Sequence, residues 1–245
     1  CPFDPELWLA NLVTETRGGR DEHWAMAEME SALASRRFAP GTLVRAGDFL
    51  LRQKMPGPAT RAAEAAIRDG QGYLPAYTLG IRCALVQTNL AWALTCAREA
   101  ADQAVEPWVF QKILVDLKSR TRQLDADLVH ALEALFARYP EESQWAGRLG
   151  DVYFQRGELG KVLSLLTPLL KAGREGDPVQ VRTWLLAAEA ARSEGKLSNA
   201  IALLERARAL HPDNIAILNN LVYYLALSPQ TVRRAQDLAD ELARA

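Results

Sequence analysis

A helix–turn–helix signal recurs along this chain at about 34 residues, and two copies are nearly complete. The first reads Leu149-Gly150-x-x-Tyr153 and runs into Arg156-Gly157-Glu158-Leu159. The second runs Trp184-x-x-Ala187-Ala188-x-x-Ala191, turns at Glu194-Gly195-Lys196-Leu197, continues as Ala200-x-x-x-Leu204 and stops at Pro212. Apolar and small residues at i, i+3, i+4 and i+7 give each helix one buried face. Ala188 and Ala200 let the two backbones of a hairpin approach. Pro212 cannot continue a helix, and Asp213 or Asn214 can cap the next one. A pair of short helices cannot bury its apolar face alone, so units with this period must stack on their neighbours.

The spacing extends outward from the clear copies. The last unit opens Ile215-Ala-Ile-Leu-Asn-Asn, turns at Ser228-Pro229 and carries a second helix through Leu242. Upstream, a unit near Pro107 has Ile113, Leu114 and Leu117, then Leu128, Leu132 and Leu135. A unit near Tyr73 has Leu79-Gly80 and Cys83, then Trp92 and Cys96. A unit near Ala39 has Ala46-Gly47 and Leu50, a turn at Met55-Pro-Gly-Pro58 and an Ala-rich helix over 59–69. The first unit has Trp8, Leu12, a Gly18-Gly19 turn, then Trp24 and Glu28. Unit starts fall at 5, 39, 73, 107, 143, 181 and 215. In the 143 unit, Val162, Leu166 and Leu169 form the expected buried stripe of the second helix.

Composition agrees with a helical array. Leu, Ala, Arg and Glu dominate, and 49% of the residues are hydrophobic, enough for a continuous core. No stretch alternates apolar and polar residues as a half-buried strand would. The net charge of −1 leaves no electrostatic footprint for nucleic acid. No run of about 18 apolar residues marks a transmembrane helix.

These residues are similar to the tetratricopeptide repeat family. The likeness is strongest over 143–214, continues through 215–245 and is degenerate before 143. Over 5–142 it implies about four degenerate units; over 143–245 it implies clear repeats at 143–180, 181–214 and 215–245. The resemblance implies an all-α fold, an alpha-alpha superhelix (solenoid) of about seven helix hairpins. First helices would line a concave surface, and a partner protein or peptide would lie in that groove. No catalytic residue and no cofactor comes with the resemblance. Helical spacing then selects groove candidates on the first helices. They are Gln144, Asp151, Phe154 and Gln155 in the 143 unit, Arg182, Glu189 and Arg192 in the next, and Asn219, Asn220 and Tyr223 in the last. In the degenerate units the same spacing selects Leu74, Tyr77 and Ile81, then Trp108, Gln111 and Val115. Some family members grip a partner's C-terminal carboxylate with Lys, Asn and Arg. Asn220 stands where one such Asn would, but Asp151 and Glu189 would repel that carboxylate.

Reaction chemistry finds no foothold in the sequence. His23 follows Asp21-Glu22, but no same-face i, i+4 ligand pair is formed. His130 lies between leucines, and His211 sits at a helix end where a cation suits the dipole. No Gly-rich phosphate loop and no nucleophile elbow appear. The expectation is a non-enzymatic protein-interaction scaffold. The alternatives are a non-catalytic repeat region of a larger bacterial enzyme, or a lipid-anchored secretion or envelope assembly factor. Cys1 bears on the last, since a processed lipoprotein begins with Cys; an arbitrary start inside a longer chain reads the same. The array also begins and stops without a clear polar cap, which favours a fragment. Cys83 and Cys96 read as two small buried residues; a disulfide between the two helices of one hairpin is the second reading.

Overall fold

The computed structural model describes residues 4–35, 38–171 and 178–244. Every regular element among them is an α-helix. Cys1 and residues 172–177 lie outside the described residues, and the lipoprotein reading with them. The chain forms two compact units, residues 1–123 and 124–245. The first contains α1 (Pro5–Arg17), α2 (Glu22–Ser35), α3 (Pro40–Arg52), α4 (Pro56–Asp69), α5 (Leu74–Val86), α6 (Leu90–Gln103) and α7 (Trp108–Thr121). The second contains α8 (Ala126–Arg138), α9 (Ser143–Gln155), α10 (Leu159–Lys171), α11 (Pro178–Ser193), α12 (Leu197–Leu210), α13 (Ile215–Ala226) and α14 (Val232–Arg244). No helix among the described residues is long and apolar enough to cross a membrane.

Each unit is built by the same stacking rule. In the first, α3 pairs with α4 and α5 with α6, while α1, α3 and α5 lie side by side and α4 and α6 also pack on the next first helix. In the second, α9 pairs with α10, α11 with α12 and α13 with α14; α9, α11 and α13 form the corresponding row. Every contact is with a near neighbour in sequence, as expected for a repeat array.

The turns carry the period more faithfully than the glycines do. Gly19, Lys54, Thr88, Arg122, Gly157 and Gly195 all have positive φ and recur every 34 to 38 residues. In each case the next residue donates its backbone N–H to a carbonyl five residues back: Arg20 to Glu15, Met55 to Leu50, Asn89 to Ala84, Gln123 to Lys118, Glu158 to Tyr153 and Lys196 to Ala191, at 2.8–3.2 Å. This is one helix-terminating motif used six times, with a left-handed residue satisfying orphan carbonyls. Sequence reading found it only where the residue was Gly. It therefore placed the second turn at Met55–Pro58, whereas the left-handed residue is Lys54 and α4 already begins at Pro56. Pro56 and Pro58 fit because first-turn N–H groups have no intrahelical partner.

Hairpin packing depends on small residues halfway along the first helices. A Cβ added at Gly47 would lie 2.5 Å from Leu79 Cδ2 and 3.3 Å from both the Ala59 carbonyl oxygen and Ala62 Cβ. At Gly80 it would lie 3.0 Å from Cys96 Sγ, and at Gly150 3.1 Å from Leu166 Cδ1 and Leu186 Cδ2. Ala188 occupies the corresponding place in α11 and is buried, as are Trp184, Ala187, Ala191, Ala200, Leu204 and Ala207 of the expected stripe. On α10 the buried stripe is Val162, Leu166 and Leu170, not Leu169, because a strict i, i+4, i+8 line runs to Leu170. Cys83 and Cys96 are buried and free. Burial pushes their thiols up to about 11 and about 12, so both are protonated and poor nucleophiles at neutral pH.

Three stability predictions result. A β-branched residue in the left-handed region is strained by about 1–2 kcal/mol, and Gly gives part of that back through its looser unfolded chain. Thr88→Gly should raise stability by about 0.5–1 kcal/mol, and Gly195→Thr should lower it by about 1–2 kcal/mol, both read by denaturant titration. Gly47→Ala should destabilise by about 1–3 kcal/mol through overpacking; an unchanged denaturation midpoint would show that the hairpin is not limited by this approach.

Candidate partner-binding face

The row of first helices in unit two carries all ten candidates from the clear repeats. Asn214 caps α13, accepting from the Ile217 N–H at 3.1 Å. Asn219 and Tyr223 are exposed, and Asn220 is half-buried. The Asn220 amide donates to the Ala216 carbonyl at 2.8 Å, which leaves its side-chain oxygen as acceptor. Gln144 and Gln155 of α9 are exposed, and Phe154 is half-buried; Gln144 donates to Glu142 at 2.7 Å.

The charged candidates are brought together in two groups. Arg182 of α11 reaches back to Asp151 of α9, with Nη2 2.6 Å from Oδ2. Burial pushes the Asp151 carboxyl above its usual value, and Arg182 pulls the other way. In the second group, Arg192 donates to Glu189 through Nε at 3.0 Å and also through Nη2. Ser193 and the Tyr224 hydroxyl donate to the same carboxylate. The Arg192 bonds hold Glu189 below its usual value, against burial. Burial, then the Glu189 bond, pushes Tyr224 upward. Arg192 also stands 5.9 Å from the Tyr224 ring centroid.

Three candidates from the degenerate units do not face solvent. Tyr77 and Ile81 are each 3% exposed and Val115 is 0% exposed. Helical spacing alone placed them on an open face, but the neighbouring helices cover that side; Gln103 of α6 donates to the Tyr77 hydroxyl at 2.9 Å. Leu74, Trp108 and Gln111 are half-buried.

Sequence reasoning missed Tyr224, which anchors α13 to α11, and missed a parallel arrangement in unit one. There Arg45 of α3 pairs with Glu6 of α1, and Arg82 of α5 pairs with Asp48 of α3. The signal was present as opposite charges, or an acid and a hydroxyl, about one repeat apart: Asp48 and Arg82 are 34 residues apart, Glu189 and Tyr224 35. Reading each helix by itself hides it, because the two partners lie on different helices.

Comparison with known proteins agrees with this architecture. Residues 181–224 match the tetratricopeptide repeat family model. Among solved structures, the chain is similar to YrrB, a TPR protein with an unusual peptide-binding site, at 14% identity and TM-score 0.54 over 78% of this chain and 96% of that one. It is also similar to a chain of Naa15/Naa10 bound to HypK-THB, at 16% identity and TM-score 0.52; the match covers 96% of this chain and 42% of that one. No curated protein matches the sequence. Residues 181–224 thus match a tetratricopeptide repeat, and the stacked helix hairpins share the fold of a solved protein built from such repeats. Such repeats typically mediate protein–protein interactions and are typically non-catalytic; no catalytic domain is identified in this chain.

The Glu189 group generates a pH prediction. Its folded value is depressed, so the stabilisation it contributes is present above the unfolded carboxylate value of about 4.3 and is lost as pH falls through the folded one. Glu189→Gln should lower Tm by about 2 °C at neutral pH. That difference should begin to narrow in melts below about pH 4.3 and vanish at lower pH, since acid discharges the same carboxylate in the unaltered protein.

Proposed function

We propose that the first-helix row of unit two binds an extended segment of a partner protein. The clear repeats, 143–180, 181–214 and 215–245, form the binding array in this reading. The observation that carries it is the surface of α13. It has no charged residue, yet it exposes Tyr223 at 55% beside Asn219, and it adjoins the Glu189–Arg192 pair that Tyr224 ties to it. An exposed aromatic beside amides supplies contact area together with backbone hydrogen bonding. Gln144, Phe154, Gln155 and the Asp151–Arg182 pair continue the face onto α9 and α11. The peptide-binding site named for YrrB supports a peptide as the ligand class.

The alternative reading is a repeat region working inside a larger enzyme or an envelope assembly factor. It uses the same face to dock a neighbouring component. The partial coverage of the Naa15/Naa10 chain is compatible with it.

The test is selection of a displayed random-peptide library on the whole chain, followed by titration of the enriched peptides. Asn219→Ala/Tyr223→Ala should weaken them by about tenfold or more, equivalent to about 1.4 kcal/mol. Enriched peptides that bind the double variant as tightly as the unaltered chain would overturn the assignment.

A further inference from the structure

Among the described helices α13 is the one without a charged residue. Its inner arc of Ile217, Leu218, Leu221, Tyr224 and Leu225 is buried against unit two. The outer arc is Ile215, Ala216, Asn219, Tyr223, Ala226 and Leu227, all exposed. Ile215 is 71% exposed, Tyr223 55% and Leu227 46%. Leu227 is the C-cap but keeps right-handed helical φ and ψ, so it continues the row.

The outer arc reads the same from either end. At about 100° per residue, Ile215 and Leu227 fall at its two edges, and Asn219 and Tyr223 at its middle. Turned end for end, the helix sets Ile215 on Leu227, Ala216 on Ala226 and Asn219 on Tyr223. Ile215, Asn219, Tyr223 and Leu227 also form an i, i+4 ridge, the kind that interdigitates in the commonest helix–helix packing. The small side chains of Ala216 and Ala226 let a second helix come close.

The missing charge has the same direction. A two-fold contact sets one surface patch against its own copy, so any net charge on it would meet its like. α13 brings none, and the neighbouring Glu189 and Arg192 neutralise each other. The Tyr223 ring is already placed, 5.7 Å from the ring of Tyr224, whose hydroxyl Glu189 holds. Little side-chain freedom is left to lose on association.

We propose that this face binds a second copy of the chain, α13 against α13 in antiparallel register about a two-fold axis. Ile215 of each copy packs on Leu227 of the other, and Asn219 meets the Tyr223 hydroxyl, each able to donate and accept. The contact is about 18 Å long and one helix wide, which falls short of the roughly 1,200 Å² of a stable interface. The dimer is therefore weak and forms as concentration rises. In one respect this rests on the reading above: Asn219 and Tyr223 serve both, so a bound peptide and a second copy exclude each other. Self-association itself needs no peptide.

Sedimentation equilibrium of the whole chain without peptide, from about 1 to 200 µM, tests it. The mass should rise from that of the 27.1 kDa chain toward twice that value. Ile215→Lys and Leu227→Glu, each alone, should weaken association by about tenfold or more. Mixed in equal amounts, the two variants should associate again to within a few-fold of the unaltered chain, because antiparallel register sets the new cation against the new anion. Both positions are exposed, and melting curves confirm that the variants are folded. A monomer at every concentration, dimers that both variants leave unchanged, or a mixture that does not recover would each overturn the proposal. Dimers without peptide binding would sink the peptide reading alone, and peptide binding by a strict monomer would sink this one alone.

Discussion

The contact on which the rest depends is the close approach of each first helix to its hairpin partner and to the next first helix. At Gly47, Gly80 and Gly150 there is no room for even one further carbon without displacing Leu79, Cys96 or Leu166. Packing at this distance puts side chains of three successive helices into one core. In unit one that core runs from Trp8 and Leu12 through Met29, Leu43 and Leu50 to Leu79 and Cys83. In unit two it runs from Ala188 through Leu204 and Leu221 to Leu238. Hydrophobic burial drives the stacking, and the small residues decide how near the backbones come before it is satisfied.

Once the hairpins are stacked, side chains one repeat apart become neighbours. That is the origin of the links between successive first helices. Glu6 meets Arg45, Asp48 meets Arg82, Asp151 meets Arg182 and Glu189 meets Tyr224. Individually, exposed pairs add little to stability. Their consequence is for recognition: they set which groups stand outermost on the first-helix face. Asp48 and Asp151 are recessed behind their arginines, whose side chains are 47% and 76% exposed. A face that looks charge-balanced in the sequence therefore presents guanidinium donors to whatever approaches it.

The fold was legible because it rests on short-range patterns. Gly157 and Gly195 mark left-handed turns, and Trp184, Ala188 and Leu204 are buried as their periodicity requires. The degenerate units were harder to read at the turns, since Lys54, Thr88 and Arg122 take a conformation that only glycine advertises. The face was legible only in part. Asn219 and Tyr223 are exposed as helical spacing suggests, but the same spacing put Tyr77, Ile81 and Val115 in the open, where the structure buries them. A helix has one face toward its hairpin partner and another toward the next unit. Periodicity within one helix cannot tell the second from a free surface.

The sequence by itself determined that this chain is a stack of helix pairs, because period, small residues and helix stops are local and repeat every 34 residues or so. It also determined which residues face the hairpin partner. Only the tertiary structure decided which outward residues remain free, which carboxylates are recessed, and that Tyr224 and not Tyr223 is taken up in holding α13 to α11. Those outcomes depend on the distance and rotation between successive repeats. That geometry is set by the summed packing of several helices, and no single segment of the sequence carries it.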